Sequence, residues 1–300
     1  MPVLRKIISH LPKHIRLIIV WAVVRTKMFY ARFGQMLGRP AAKQVLICGY
    51  PRSGTSMLYN MFSASLDGFA FGKFERRCLT TIREYRSYVT KRPMDIFSIH
   101  ELIANNIFKK ELYVVIPLRD PRDMVTSIHP TLPNEYFIGY EGSFSTGSYP
   151  YKPVFDRPGI GRIFEEIQTV KDISEVNVIT IRYEDLVSDP DRIQTELATT
   201  LGVQFTRKFS CFHESPEKHA YKYEGKQPAI DHSLVRESLP PDRSRAGKWV
   251  QHQHRQRILL QFSNYPKLFD IVRSYGYEED YSWFERFKKE ALEESTSREA

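Results

Sequence analysis

No aspartate or glutamate occurs before Asp67, while residues 1–50 carry nine lysines and arginines (Arg5, Lys6, Lys13, Arg16, Arg25, Lys27, Arg32, Arg39 and Lys43). The net charge of +9 therefore belongs to this segment: 44 Lys and Arg less those nine leaves 35, matched by 35 Asp and Glu. A neutral body has no basic stripe of the kind that tracks a nucleic-acid backbone, and no base-reading motif is present, so nucleic acid is not an expected partner. Long apolar runs are lacking too. The longest in the basic segment, Leu17 to Val24, is eight residues, well short of the roughly 20 that span a bilayer. Charge resumes at Arg25 without a small-residue cleavage site, which argues against a cleaved signal. Ser9 is the sole serine of the segment, too few for an organellar transit sequence. Two readings of residues 1–44 stay open: a helix packed on the domain with a solvated basic face, or peripheral attachment to an anionic membrane.

Cysteine is scarce. Cys48, Cys78 and Cys211 are odd in number and widely spaced, which excludes a disulfide framework and a CxxC-type zinc site. A reducing cytoplasm is the expected compartment, and nothing in the chain calls for a metal. Internal repeats and low-complexity tracts are absent.

What is present is an alternation of continuous apolar strands with helices. KQVLICGY, ELYVVIPLRD and VNVITIRYED read as strands buried on both faces. TSMLYNMFSASL reads as the helix after the first, and a helix from about Pro121 to His129 follows the second. The fold class is α/β, three-layer α/β/α around a central parallel sheet. Residues 130–160 and 213–247 read as long irregular stretches, the first rich in proline and tyrosine. Two short amphipathic helices follow, with Gly276 as a C-cap. The expected organisation is a basic N-terminal helical segment (1–44), a catalytic domain (45–285) and a polar C-terminal tail (286–300).

Residues 45–56, VLICGYPRSGTS, combine a strand end, a glycine-bearing turn and a helix start, the parts of a phosphate-binding loop. Gly49 and Gly54 stand at the spacing of GxxxxGK[ST], and Ser56 fills the final hydroxyl position. The lysine position, however, is Thr55. The cation sits inside the loop instead, as Arg52.

YPRSGTS resembles the 5′-phosphosulfate loop of the sulfotransferases that use 3′-phosphoadenosine 5′-phosphosulfate. VVIPLRDPRDMVTSIH (114–129) is similar to that family's 3′-phosphate site, where an Arg at a strand end and a Ser eight residues later clasp the phosphate. Arg119 and Ser127 hold those positions. RYEDL, with Tyr183, looks like a segment common in the family, and SRAGKW (244–249) resembles its C-terminal nucleotide loop. The resemblance spans about residues 45–277 and implies a P-loop-like sulfotransferase fold. It implies nucleotide binding by Pro51, Arg52, Ser53, Gly54, Thr55, Ser56, Arg119, Ser127, Tyr183, Arg245, Gly247 and Lys248. A sulfuryl group on one phosphate carries less charge than a triphosphate, so one arginine with backbone amides suffices where nucleoside triphosphatases use Mg²⁺.

The implied reaction is in-line, metal-independent transfer of sulfuryl to a hydroxyl of an acceptor, a glycan or other cell-envelope molecule. Arg52 stabilises charge on the leaving side and is always protonated, so it is no base. Glu75 is the first-choice proton acceptor, followed by His100 and then His129; spacing does not decide among them. Two other classes remain. A Mg-ATP-dependent P-loop kinase is supported by IPLRD and IRYED as strands ending in Asp, and opposed by the missing lysine and the Arg119–Ser127 pair. The third is a non-catalytic nucleotide-binding or membrane-associated module.

Overall fold

The computed structural model describes residues 12–38, 40–72, 75–129, 132–146, 152–215 and 239–299. The elements in chain order are α1 (Lys13–Met36), β1 (Lys43–Ile47), α2 (Thr55–Ser65), β2 (Ala70–Phe71), α3 (Cys78–Thr81), β3 (Tyr88–Lys91), α4 (Ile99–Ala104), β4 (Glu111–Leu118) and α5 (Pro121–Val125). They continue with β5 (Ile128–His129), β6 (Leu132–Tyr136), β7 (Gly142–Thr146), β8 (Pro153–Pro158), α6 (Ile160–Lys171), β9 (Asn177–Arg182), α7 (Tyr183–Ser188), α8 (Pro190–Leu201), α9 (Arg255–Asn264), α10 (Lys267–Ser274) and α11 (Ser282–Glu299).

Five strands form one sheet in the order β2-β3-β1-β4-β9, every pairing parallel. The continuous apolar runs follow from its position between two helical layers. Val45 and Ile47, with Tyr113 and Val115, pack under Leu58 and Phe62 of α2 and Ile193 and Leu197 of α8. Leu46, Val114 and Ile116 face the other way, toward Ile163 and Ile167 of α6, Ile258 of α9 and Ile271 of α10. Neighbours along a strand point to opposite faces, so both faces must be apolar. The chain leaves β1 for β2 and β3 on one side and then crosses to β4 on the other. Such a reversal opens a crevice at the carboxyl ends of the strands. Gly49 to Gly54, Lys91, Arg119 and Tyr183 all lie just at or beyond those ends.

Several expected elements differ. The helix expected to reach His129 ends at Val125, because the Thr126 hydroxyl bonds back to the carbonyls of Arg122 (2.8 Å) and Asp123 (3.3 Å). The chain then turns and Ile128–His129 pairs antiparallel with β6. The stretch expected as irregular, 130–160, instead builds two antiparallel ribbons, β5–β6 and β7–β8. Their prolines fall on edge strands, where a missing N–H costs no ladder bond. Residues 130–131 and 147–151 of that stretch lie outside the described residues, as do 1–11 of the basic segment and 216–238 of the second irregular stretch. Downstream, α9 and α10 are the two expected helices, and Gly276 follows α10 in the left-handed region (φ 69°). From residue 286, where a polar tail is expected, α11 continues to Glu299 and buries Phe287.

The C-terminal helices are fixed to α5 by a buried arginine. Arg122 pairs with Asp120 (2.8 Å) and Glu278 (2.5 Å), and its guanidinium lies 4.0 Å from the Trp249 ring centroid and 4.7 Å from that of Trp283. Phe262 is fully buried beside this contact, with its ring centroid 5.0 Å from Phe269 and 5.1 Å from Trp283. Phe262→Ala is expected to lower unfolding free energy by about 3–5 kcal/mol. Urea denaturation checks it, a smaller midpoint at unchanged slope being the expected result.

Candidate functional site

The loop after β1 is a turn in which Arg52 has φ 68° and Gly54 has φ 93°. Glycine adopts that region without cost; arginine does so only where its surroundings hold it there. Gly54 is also required for space, since a Cβ there would lie 2.7 Å from Cδ2 of Tyr183. Gly49 is confined likewise: a Cβ would meet Cγ2 of Ile116 at 2.8 Å. Pro51 and Ser53 are buried, and the Ser53 hydroxyl donates to the Tyr50 carbonyl at 2.8 Å. α2 begins at Thr55, so the amides of its first turn, including Thr55 and Ser56, have no acceptor within the helix. Such a terminus beside Arg52 has the donors and charge that suit an anion.

Arg119 leaves the end of β4 and reaches across this turn. One nitrogen donates to the Arg52 carbonyl (3.1 Å), and another to the Arg245 carbonyl (2.6 Å) and to Asp123 (3.5 Å). Its guanidinium carbon is 4.4 Å from the Tyr183 ring centroid. The Arg119 Nε is buried and has no hydrogen-bond partner among the described residues, an arrangement that suits an additional acceptor. Arg52 Nε donates to the Ser127 hydroxyl at 2.9 Å. Ser127 itself sits in the turn after α5, not on the helix.

The segment 243–249 is drawn in by Asp123, whose carboxylate accepts from the amides of Gly247 (2.8 Å) and Trp249 (3.0 Å). Arg245 approaches the site through its carbonyl, while its side chain pairs with Asp242 at 3.4 Å. Lys248 is exposed at the rim. Thus the structure gathers Pro51 to Ser56, Arg119, Ser127, Tyr183, Arg245 and Gly247 around one crevice.

The three proton-acceptor candidates separate. Glu75 pairs with Lys91 at 2.9 Å, and Lys91 is almost fully buried at the end of β3. Burial pushes the Glu75 carboxyl up, but Lys91, Arg157 and Arg92 outweigh it and hold the group below its ordinary value. It is therefore a carboxylate at neutral pH. The neighbouring arginine, Arg76, pairs with Glu84 instead (3.1 Å). His129 stacks on Phe137 (centroids 5.5 Å apart) and meets Phe144 edge-on. Burial and the Arg52 cation push it down to about 4, so it is a neutral imidazole beside the loop. His100 is exposed on α4, and among the described residues no hydrogen bond ties it to the loop.

Lys91, Asp123 and Phe137 were not singled out from sequence. A signal existed for Lys91: the cation of YVTKRP falls at the carboxyl end of a parallel strand, where sites form. Asp123 was foreseeable only as an ion partner of Arg119, which it is at 3.5 Å; its bonds to backbone amides more than 120 residues away left no trace in the sequence. The two described tyrosines of 130–160 pack on their own domain. Tyr140 stacks on Tyr265 at 5.0 Å and Tyr136 packs on His254, while Tyr149 and Tyr151 lie outside the described residues. Among the described residues no group of three His, Cys, Asp or Glu side chains has the geometry of a metal site.

A family profile described as "Sulfotransferase domain" matches residues 42–223. Among solved structures, the sulfotransferase domain from the Synechococcus PCC 7002 olefin synthase is similar at 15% identity and TM-score 0.44, over 70% of this chain and 87% of that one. A sulfotransferase domain from the curacin biosynthetic pathway is similar at 15% identity and TM-score 0.39, over 74% of this chain and 98% of that one. No curated protein matches the chain in sequence.

Proposed function

This chain belongs to the sulfotransferase domain family, and from that premise we propose that it moves the sulfuryl group of 3′-phosphoadenosine 5′-phosphosulfate to an acceptor hydroxyl without a metal. The observation that carries the reading is the convergence of Arg52, Arg119 and Ser127 on one crevice. The nucleotide has two anionic ends, and the residues suit both. Arg52 and the first-turn amides of α2 suit the 5′-phosphosulfate. Arg119, with its unpartnered Nε, and Ser127 suit the 3′-phosphate, with Arg245, Gly247 and Lys248 at the rim. The nucleotide supplies an activated sulfuryl, whose bond to the 5′-phosphate oxygen breaks as a bond to the acceptor oxygen forms. Arg52 and the loop amides neutralise the charge that gathers on the leaving side. Glu75, held ionised by Lys91, takes the acceptor's proton. Tyr183 holds Gly54 and Arg119 in position. His129 and Phe137, half-buried aromatic rings beside Arg52, suit contact with a sugar ring, which supports a glycan or other hydroxylated envelope molecule as acceptor. Three free cysteines suit a reducing cytoplasm.

Calorimetry with 3′-phosphoadenosine 5′-phosphate in EDTA, beside ATP with Mg²⁺, tests the nucleotide assignment. Metal-free binding that weakens sharply when the 3′-phosphate is removed is expected; binding of ATP alone, dependent on Mg²⁺, would replace this reading with a kinase. Arg52→Ala is expected to lower kcat by about 10²–10³-fold while the thermal transition persists, and unchanged turnover would remove Arg52 from the mechanism.

The base is identified by pH. The acid limb of activity should fall below the ordinary glutamate value, because Lys91 and its neighbouring arginines lower the Glu75 carboxyl. Lys91→Met removes the cation that depresses it, so the acid limb of kcat/KM is expected to move to higher pH. A limb that stays in place in Lys91→Met but vanishes with activity in His129→Gln would transfer the role to His129.

A further inference from the structure

α1 is a bare helix. Of seventeen exposed large apolar side chains among the described residues, ten lie on it or at Leu37, just past its end. Leu17, Ile18, Trp21, Phe29, Tyr30 and Met36 are each between 58 and 81% exposed. So many large apolar side chains exposed on one helix mark a surface that protein or lipid normally covers. Its charge is as one-sided as its exposure: Lys13, Arg16, Arg25, Lys27 and Arg32 are cations, and the helix has no carboxylate. Rings and cations interleave, with the Arg25 guanidinium 4.3 Å from the Trp21 ring centroid.

We propose that α1 seats the chain on the surface of an anionic lipid bilayer. At that interface rings and aliphatic groups enter the boundary between headgroups and acyl chains, while Lys and Arg stems extend their charges to lipid phosphates. Charge decides between lipid and the other apolar cover, a second copy of this helix. Two copies in contact would bring like charges together with no carboxylate on either helix to pair them. No described helix is long and apolar enough to cross a membrane. α1 leads into the amino end of the central strand β1 at Lys43, the end of the sheet opposite Arg52 and Arg119. Lipid seated there leaves the crevice free for its acceptor.

Flotation of the full chain tests this with two kinds of vesicle: phosphatidylcholine alone, and phosphatidylcholine with one part in three phosphatidylserine. Co-flotation with the anionic vesicles alone is expected, weakening as salt is raised. Reversing Arg16, Arg25 or Lys27 to Glu should cost about fivefold or more in partitioning per site. Trp21→Glu with Phe29→Glu should abolish binding while the thermal transition of the domain is unchanged. Three results overturn the proposal: no binding to anionic vesicles, equal binding to neutral ones, or a sedimenting dimer that the same double variant dissociates. The last would assign α1 to a second copy of the chain.

Discussion

One guanidinium holds the candidate site together. Arg119 joins carbonyls that lie 67 and 126 residues from it in sequence, one in the phosphate-type loop and one in the C-terminal segment. Three chain segments with no local reason to meet are thereby fixed at one strand end. Asp123, one helical turn on, completes the arrangement by taking two amides of the same C-terminal segment. Charged donors and acceptors buried in this way make stronger hydrogen bonds than neutral ones, and each carries a large cost if its partner is removed. The crevice is thus built by the groups that would also bind its ligand. Its shape and its charge cannot be varied independently.

The same short helix, α5, faces two duties. Arg119 and Asp123 turn toward the loop and the C-terminal segment, while Asp120 and Arg122 turn toward α10, α11 and two tryptophans. Asp120 also caps α5 by accepting from the Arg122 amide at 2.8 Å, and its own amide donates to Glu184 at 3.2 Å. Glu184 in turn accepts from Tyr277 at 2.7 Å. The RYEDL segment is therefore structural at its glutamate and contributes to the crevice through Tyr183. Folding of the C-terminal helices and assembly of the crevice draw on one set of bonds, so damage to either is transmitted to the other.

Much of this was legible in the sequence, and the rest had a physical reason for hiding. VLICGYPRSGTS disclosed the strand, loop and helix because each needs residue types that little else tolerates in that order. Arg119, Asp120 and Pro121 disclosed a strand end and a helix start for the same reason. The end of α5 was not legible: MVTSIH has good helical periodicity, and the Thr126 hydroxyl that competes for the last carbonyls leaves no periodic trace. β2 and β3 are too short, at two and four residues, to register as apolar runs. The partner of Glu75 was hidden by tertiary geometry. Sequence put Lys73, Arg76 and Arg77 beside it, whereas the fold supplies Lys91 from the adjacent strand end. The tyrosines of 130–160 carried no signal either way, because aromatic residues of a loop pack on their own domain as readily as on a ligand.

The left-handed backbone at Arg52 sets backbone strain against a guanidinium at one position. A non-glycine residue held there costs on the order of 1 kcal/mol, which glycine would recover at once, together with the loss of the cation. Any selection or engineering that ranks substitutions by relief of backbone strain would choose this position early and discard the guanidinium with it. Drift toward glycine at that turn would leave a loop relieved of strain but without the Arg52 bond to Ser127 and without a guanidinium at the crevice.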